Sequence, residues 1–243
     1  MLPFNAALER IGGLSGPSKM PCYSYSIPAS RCILGSKLRK IKGSTCASCY
    51  ALKGCYMFPS TIAAMAKRMR SVDAMRASPI DRAAWVEAFA EVLHTLEMRT
   101  QKLRTRTGRS GARDGRVFRW HDSGDLQSVT HLEAIVAVCD ATPSVRHWLP
   151  TREAWIIKTY LASGQTFPPN LTVRLSAPRV DAAPAQALIT LAEHPSIALS
   201  GVHSPGHGPM GDAQTCIAYT QNGACLDCRA CWNPDVDVSY PLH

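Results

Sequence analysis

Val117-Phe118-Arg119-Trp120 is a short run rich in β-branched and aromatic residues; it leads into the polar turn His121-Asp122-Ser123-Gly124-Asp125 and then into a helical stripe of Leu132, Ile135, Val136 and Cys139. Val145-Arg146-His147-Trp148-Leu149 reads as the next strand. The pattern then repeats as a helix over 154–161, the strand Leu171-Thr172-Val173-Arg174-Leu175, a helix over 185–192 and the strand Ile197-Ala198-Leu199-Ser200. Strands separated by helices must be joined by crossovers. The expected fold is therefore α/β, a mainly parallel βα repeat of partial TIM-barrel-like form flanked by cysteine-rich N- and C-terminal segments.

Upstream, the alternation in Tyr23-Ser24-Tyr25-Ser26-Ile27 places a first strand within 20–28. A helix opening at Pro59-Ser60-Thr61 carries Ile62, Met65, Met69 and Val72 on one face, and a second beginning near Asp81 buries Trp85, Phe89, Val92, Leu93 and Leu96. No clear boundary falls within 20–210, so a single domain is expected over 1–243, the alternative being a helical cap over 59–113 that moves separately. It divides into strand and cysteine loop (20–58), helices and basic link (59–113), βα repeats (114–210) and a C-terminal cysteine segment (211–243).

The carboxyl end of each strand runs into polar residues: His121 to Asp125, Thr151-Arg152-Glu153, Ser176, and His203-Ser204. Ligands of parallel sheets bind beyond the carboxyl ends of the strands, so these groups are expected to converge. A histidine and two carboxylates within five residues can bind a metal, orient a polar ligand or move protons. His121, Asp122 and Asp125 are therefore candidate catalytic residues, with Arg152 as a partner for an anion. Asp, Ser and Gly also serve ordinary turns.

The chain holds ten cysteines, and no basic region followed by an apolar run opens it. No stretch of about eighteen apolar residues could span a bilayer, so no membrane association and an intracellular, cytoplasmic location are expected. Thiols there stay reduced, which makes clustered cysteines metal ligands sooner than disulfides. Cys225, Cys228 and Cys231 succeed one another at three-residue spacing, with Cys216 upstream. A 4Fe-4S cluster offers a separate iron to each ligand, so this spacing suits it, while zinc, which favours paired chelating arms, is the alternative metal. At the other end Cys46 and Cys49 form an arm with Cys32 as third ligand. Cys22 or Cys55 could be a fourth, or one iron could stay open to a small-molecule ligand. One cluster or two are both compatible with this count.

The net charge is +9, with a pI near 9.2. Its densest run is 99–113, where Arg99, Lys102, Arg104, Arg106, Arg109 and Arg113 mark a candidate contact for nucleic acid or a host protein.

Several motifs together resemble the bacteriophage gene product 88 family: Lys37-Leu38-Arg39-Lys40, Cys46-Ala47-Ser48-Cys49-Tyr50-Ala51-Leu52-Lys53-Gly54, Phe118 to Ser128, Trp148-Leu149-Pro150-Thr151-Arg152-Glu153 and Cys228-Arg229-Ala230-Cys231-Trp232. The resemblance implies a phage-encoded protein of the infected host cell, with Cys32, Cys46, Cys49, Cys216, Cys225, Cys228 and Cys231 matching the family pattern. A more distant likeness is to radical S-adenosylmethionine enzymes, where a cysteine loop after the first strand of a partial βα barrel holds a cluster with one open iron. In that likeness Ser123 and Gly124 take the place of a segment that binds S-adenosylmethionine. The chain departs from it because Cys32 lies far from Cys46 in sequence. Three function classes are compatible with these residues: an iron-sulfur enzyme, a non-catalytic binding module stabilised by cluster or zinc, and a redox carrier.

Overall fold

A computed structural model describes residues 2–109, 111 and 113–242. Ser110 and Ala112 of the basic segment lie outside the described residues. The strands β1 (Tyr23–Tyr25), β2 (Val117–Trp120), β3 (Arg146–Thr151), β4 (Leu171–Val180), β5 (Ile197–His203), β6 (Gln214–Thr215) and β7 (Val238–Pro241) form one sheet in the order β1-β2-β3-β4-β5-β7-β6. Every pairing in it is parallel. The fold is α/β, as the strand and helix alternation predicts. The five strands read from the sequence all form, and β6 and β7 add to them from the C-terminal segment. Too short and too polar to show periodicity, Gln214-Thr215 becomes a strand only because β7 offers it an edge.

The helices α1 (Phe4–Arg10), α2 (Ile33–Leu38), α3 (Pro59–Ala77), α4 (Pro79–Thr107), α5 (Val129–Ala141), α6 (Ala154–Ala162) and α7 (Gln186–Ala192) complete the framework. Ser78 caps α4, and Ser128 caps α5, each accepting a hydrogen bond from the backbone N–H three residues on. Alternate strand residues face opposite ways. Phe118, Trp120, Leu149, Val173, Leu175, Ile197 and Leu199 point to the core that α1, α3, α4, α5 and α6 build. Val117 and Trp148 point the other way and meet Cys22 and Trp232 in a second, smaller apolar cluster. Main helices thus cover one face of the sheet, and the C-terminal segment covers the other.

One element is added and two local expectations change. Residues 4–10 form α1, whose Ala7 is fully buried along with Ile11 just beyond it. Ile62, expected on the inner face of α3, is 43% exposed because the buried stripe begins one turn later at Met65. The basic segment is not a link throughout: α4 runs to Thr107 and ends on Gly108 at φ +70°. Straight-chain Gln, Lys, Leu and Arg favour helix, cations are stabilised at a helix C-terminus, and glycine accepts the left-handed cap.

Arg174, in the middle of β4, is completely buried. Its Nη1 donates to the carbonyls of Leu199 and Val236 at 2.8 Å each, and its Nη2 to those of Ala230 (3.1 Å) and Asn233 (3.0 Å). One guanidinium therefore ties the C-terminal segment to the sheet. Trp232 adds a second tie, donating from Nε1 to the Phe118 carbonyl at 2.8 Å and packing edge-on to Trp148. Replacing Arg174 by Met strands buried carbonyls, and the expected loss is roughly 3 kcal/mol or more in urea unfolding. The expected loss for Trp232→Ala is about 3–5 kcal/mol.

Candidate functional site

After β1 the chain turns through Pro28 into a single 3₁₀ turn, reaches Cys32 and enters α2. This lobe folds over the carboxyl ends of β3 and β4. The Leu34 N–H donates to Glu153 Oε1 at 2.7 Å, and Glu153 Oε2 accepts from Trp155 Nε1 at 2.8 Å. Further along, the Thr45 N–H donates to the Pro178 carbonyl and the Val180 N–H to the Gly43 carbonyl, each at 3.0 Å, while Ser44 bridges Arg179. The helical turn after Cys32 and the loop before Cys46 are both clamped to strand ends.

Cys32 and Cys46, fourteen positions apart in sequence, come together here. A Cβ on Gly35 would press on Cys32 Cβ at 3.0 Å and stand 3.7 Å from the Sγ of both Cys32 and Cys46, which places the two sulfurs around one point. Burial pushes both thiols up; for Cys32, Asp125, Cys49, Cys46 and Glu153 add to the rise, and for Cys46 Arg152 opposes it. Asp125 accepts from the Leu126 N–H (2.8 Å) and Thr151 Oγ1 (2.6 Å) on one oxygen and from the Arg152 N–H (3.0 Å) on the other. Burial outweighs these donors and lifts its carboxyl to about 6. Arg152 donates from Nη1 to the Ala177 carbonyl at 2.5 Å, which fixes its guanidinium between the β4 end and Cys46. Cys32, Cys46, Cys49, Asp125, Arg152 and Glu153 thus form one group at the strand ends.

Asp122 belongs to an adjoining network. It accepts from Ser26 Oγ (2.6 Å) and from the Tyr56 hydroxyl (2.9 Å), and its carbonyl accepts from the Tyr50 hydroxyl. His121 turns elsewhere. With its backbone at φ +51°, its ring packs 5.3 Å from that of His131 on α5. Burial drives His121 down to about 3, so it is neutral at ordinary pH, and neither ring nitrogen has a hydrogen-bond partner among the described residues. Ser123 and Gly124 are occupied by the chain itself. Ser123 donates to the Ile27 carbonyl at 3.0 Å, and a Cβ on Gly124, at φ +83°, would sit 2.3 Å from Ile27 Cγ1. Close approach of β1 and β2 at their carboxyl ends requires this glycine.

The second cysteine group lies against the face opposite the main helices. Cys225 is raised to about 11 by burial first, then by Cys231, Cys216 and, beyond the opposing Arg119, Cys228. Cys231 Sγ is 3.3 Å from the Tyr240 hydroxyl on β7, and the Cys216 N–H is held by the Ser239 carbonyl. Cys22, fully buried, neighbours Cys225 and is pushed up to about 12 by burial. Cys139 is enclosed in the main core, and Cys55 is exposed.

Two cations flank this group. Arg119 on β2 lies 4.3 Å over the Trp148 ring, with Nη1 3.1 Å from Met20 Sδ and Nη2 3.4 Å from the Tyr50 hydroxyl. It acts on Cys22, Cys225 and Cys231, and Arg174 acts on Cys231. Among the described residues neither arginine has a carboxylate within ion-pair distance. Sequence reasoning passed over Arg119, Arg174, Glu153, Tyr50 and Tyr56 as site residues. The signal for the arginines was present: a lone charge amid the apolar residues of a strand in a parallel sheet.

Among the described residues no three His, Cys, Asp or Glu side chains converge as ligands of one ion. A family model described as Gene product 88 matches residues 5–234. The chain belongs to that family. The matched span takes in both cysteine groups and the whole strand-end cluster, so it contains all seven candidate ligands. No curated protein and no solved structure matches the chain.

Glu153→Ala removes the carboxyl acceptor of the Leu34 amide, so the hydrogen exchange of that amide is expected to rise about tenfold, with residues 33–38 rising alongside it. In metal-free protein, Cys225 is protonated below its raised pKa. Its alkylation by iodoacetamide, read by mass spectrometry, is expected to be slow at neutral pH and to climb about tenfold per unit towards pH 11.

Proposed function

We propose that this Gene product 88 family member is an iron-sulfur protein whose C-terminal cysteines hold a structural 4Fe-4S cluster and whose N-terminal cysteines hold a reactive one. The observation that carries the reading is the pair Arg119 and Arg174. Each is a cation without an ion-pair carboxylate among the described residues, and together they act on Cys22, Cys225 and Cys231. Four thiolates crowded together repel one another, and a metal core with flanking guanidinium groups offsets that repulsion. The donor chemistry fits: Cys216, Cys225, Cys228 and Cys231 give four sulfurs, and a cluster accepts each on a separate iron instead of drawing all to one point as zinc does. Zinc stays the alternative metal.

At the N-terminal group Cys32, Cys46 and Cys49 supply three sulfurs, the first two of them gathered around Gly35. When bound there, a cluster with one open iron supplies the electron that cleaves S-adenosylmethionine in radical enzymes. The chain's own part is orientation. Asp125, fixed by Thr151 and Arg152, presents a buried carboxyl beside Cys32, and Arg152 places a cation beside Cys46. Glu153 holds the turn after Cys32 in place. Support for the partial-barrel form comes from the sequential strand order β1 to β5 with the main helices on one face, as in a barrel opened along one seam. Ser123 and Gly124 contribute by shaping the turn before Asp125, and His121 supports the turn from the interior side. The reduced cytoplasm of an infected host cell is the compartment in which such thiols keep their metal.

The rival reading, a non-catalytic module contacting nucleic acid or host protein through 99–113, draws support from Lys102, Arg104 and Arg106, which lie on the last turns of α4. Anaerobic purification separates the two. The expected result is a brown protein with about eight iron and eight sulfide per chain if both groups are loaded, Cys225→Ser keeping about half. Dithionite with S-adenosylmethionine is expected to release 5′-deoxyadenosine, and Cys46→Ser to abolish that release. A colourless zinc-loaded protein sinks the redox reading, and iron without 5′-deoxyadenosine leaves a redox or structural cluster.

A further inference from the structure

The lobe that carries the N-terminal cysteines has a second property, independent of any metal. Between Glu9 and Asp73 the chain contains no Asp or Glu, yet it holds eleven of its 27 Lys and Arg residues. Lys37, Lys40, Lys42 and Lys53 are exposed, and among the described residues none has a carboxylate within ion-pair distance. Of the cations in 31–53 only Arg31 pairs among the described residues, with Asp73 at 3.4 Å. The lysine charge faces solvent unneutralised.

The same stretch of chain also exposes aromatic rings. Tyr50 is 57% exposed and Phe58 60% exposed, with Met57 beside Phe58 also open. Tyr50 does not float: its hydroxyl is anchored on the Asp122 carbonyl, its ring packs 5.7 Å from that of Tyr56, and Tyr56 is itself tied to Asp122. The Tyr50 ring is thus fixed at its inner end and bare at its outer one. The Phe58 backbone is the N-cap of α3, immediately before Pro59, with its ring exposed.

We infer that this face binds single-stranded nucleic acid, the lysines of 37–53 tracking the phosphates and Tyr50 and Phe58 offering stacking surfaces to bases. Exposed rings on a lobe that also carries unpaired lysines are the combination that non-specific single-strand binding uses, because every base has a π-face and every phosphate released from its counterions favours the complex. An acidic protein would also be drawn to the lysines but has no use for bare aromatic rings. A duplex keeps its bases stacked inside and cannot reach them.

The test uses the full chain, purified with whatever metal it carries, and labelled oligothymidine about 20 nucleotides long, with fluorescence anisotropy as the readout. Binding is expected to weaken steeply as salt rises. The triple variant K37E/K40E/K42E is expected to lose at least about tenfold in affinity and to flatten the log–log salt slope by roughly 2. Phe58→Ala is expected to lose about five- to tenfold with the slope unchanged, since stacking releases no counterions. Both variants are checked by circular dichroism melting, and Phe58→Ala carries the test alone if the triple variant fails to fold. Salt-insensitive or absent binding by the wild-type chain overturns the inference. So does equal binding of a blunt duplex, or loss of binding in K102E/R106E with none in the lobe variants. Displacement by polyglutamate as effective as by unlabelled oligothymidine at equal charge overturns it in favour of an acidic protein partner.

Discussion

A guanidinium buried in the middle of a strand has to be surrounded by acceptors, and at Arg174 those acceptors are the backbone of the C-terminal segment. The sheet is parallel, and parallel sheets need both faces covered. Here the main helices take one face only. The other is closed by Trp232 and its neighbours, drawn in by three of the four hydrogen bonds that Arg174 donates. Remove that cation and the segment holding Cys216 to Cys231 loses its seat, while the sheet loses its cover.

The same arrangement sets the two cysteine groups apart in kind. The C-terminal group rests on the sheet's face among Arg119, Arg174 and Tyr240, a place already filled by protein. The N-terminal group rests at the strand ends, where a lobe of few internal apolar contacts is fastened by polar clamps to Glu153, Pro178 and Val180. Fixed at its base to the strand ends, that lobe brings Cys32 and Cys46 beside Asp125 and Arg152. Arg119 lies between the two groups, with Tyr50 on one side and Cys225 on the other, so a change of charge at either is felt by the same cation.

Buried polar groups without partners mark where the interior is not merely packed. Among the described residues, both ring nitrogens of His121 and of His131 are in that position. Such groups cost stability unless water or a ligand meets them. Their neutrality comes from burial, which holds both imidazoles well below their usual range.

By itself the sequence determined the βα alternation, because apolar periodicity switches between two and three-to-four residues where strands and helices change over. It also determined which polar turns end the strands, and the grouping of cysteines into two sets. Family membership was legible in local motifs such as Phe118 to Ser128. Direction and distance were decided only by the tertiary structure. His121 and Asp122 are neighbours in sequence, yet a positive φ sends the histidine ring towards α5 and leaves the carboxylate with Ser26 and Tyr56. Cys32 and Cys46 are distant in sequence and meet because α2 and the loop after it are clamped to β3 and β4. β6 and β7 exist because a sheet edge supplied hydrogen-bond partners that no local pattern announces. The roles of Arg119 and Arg174 depend on which face of the sheet the C-terminal segment came to cover. That is a matter of long-range packing, to which side-chain pattern within one strand is blind.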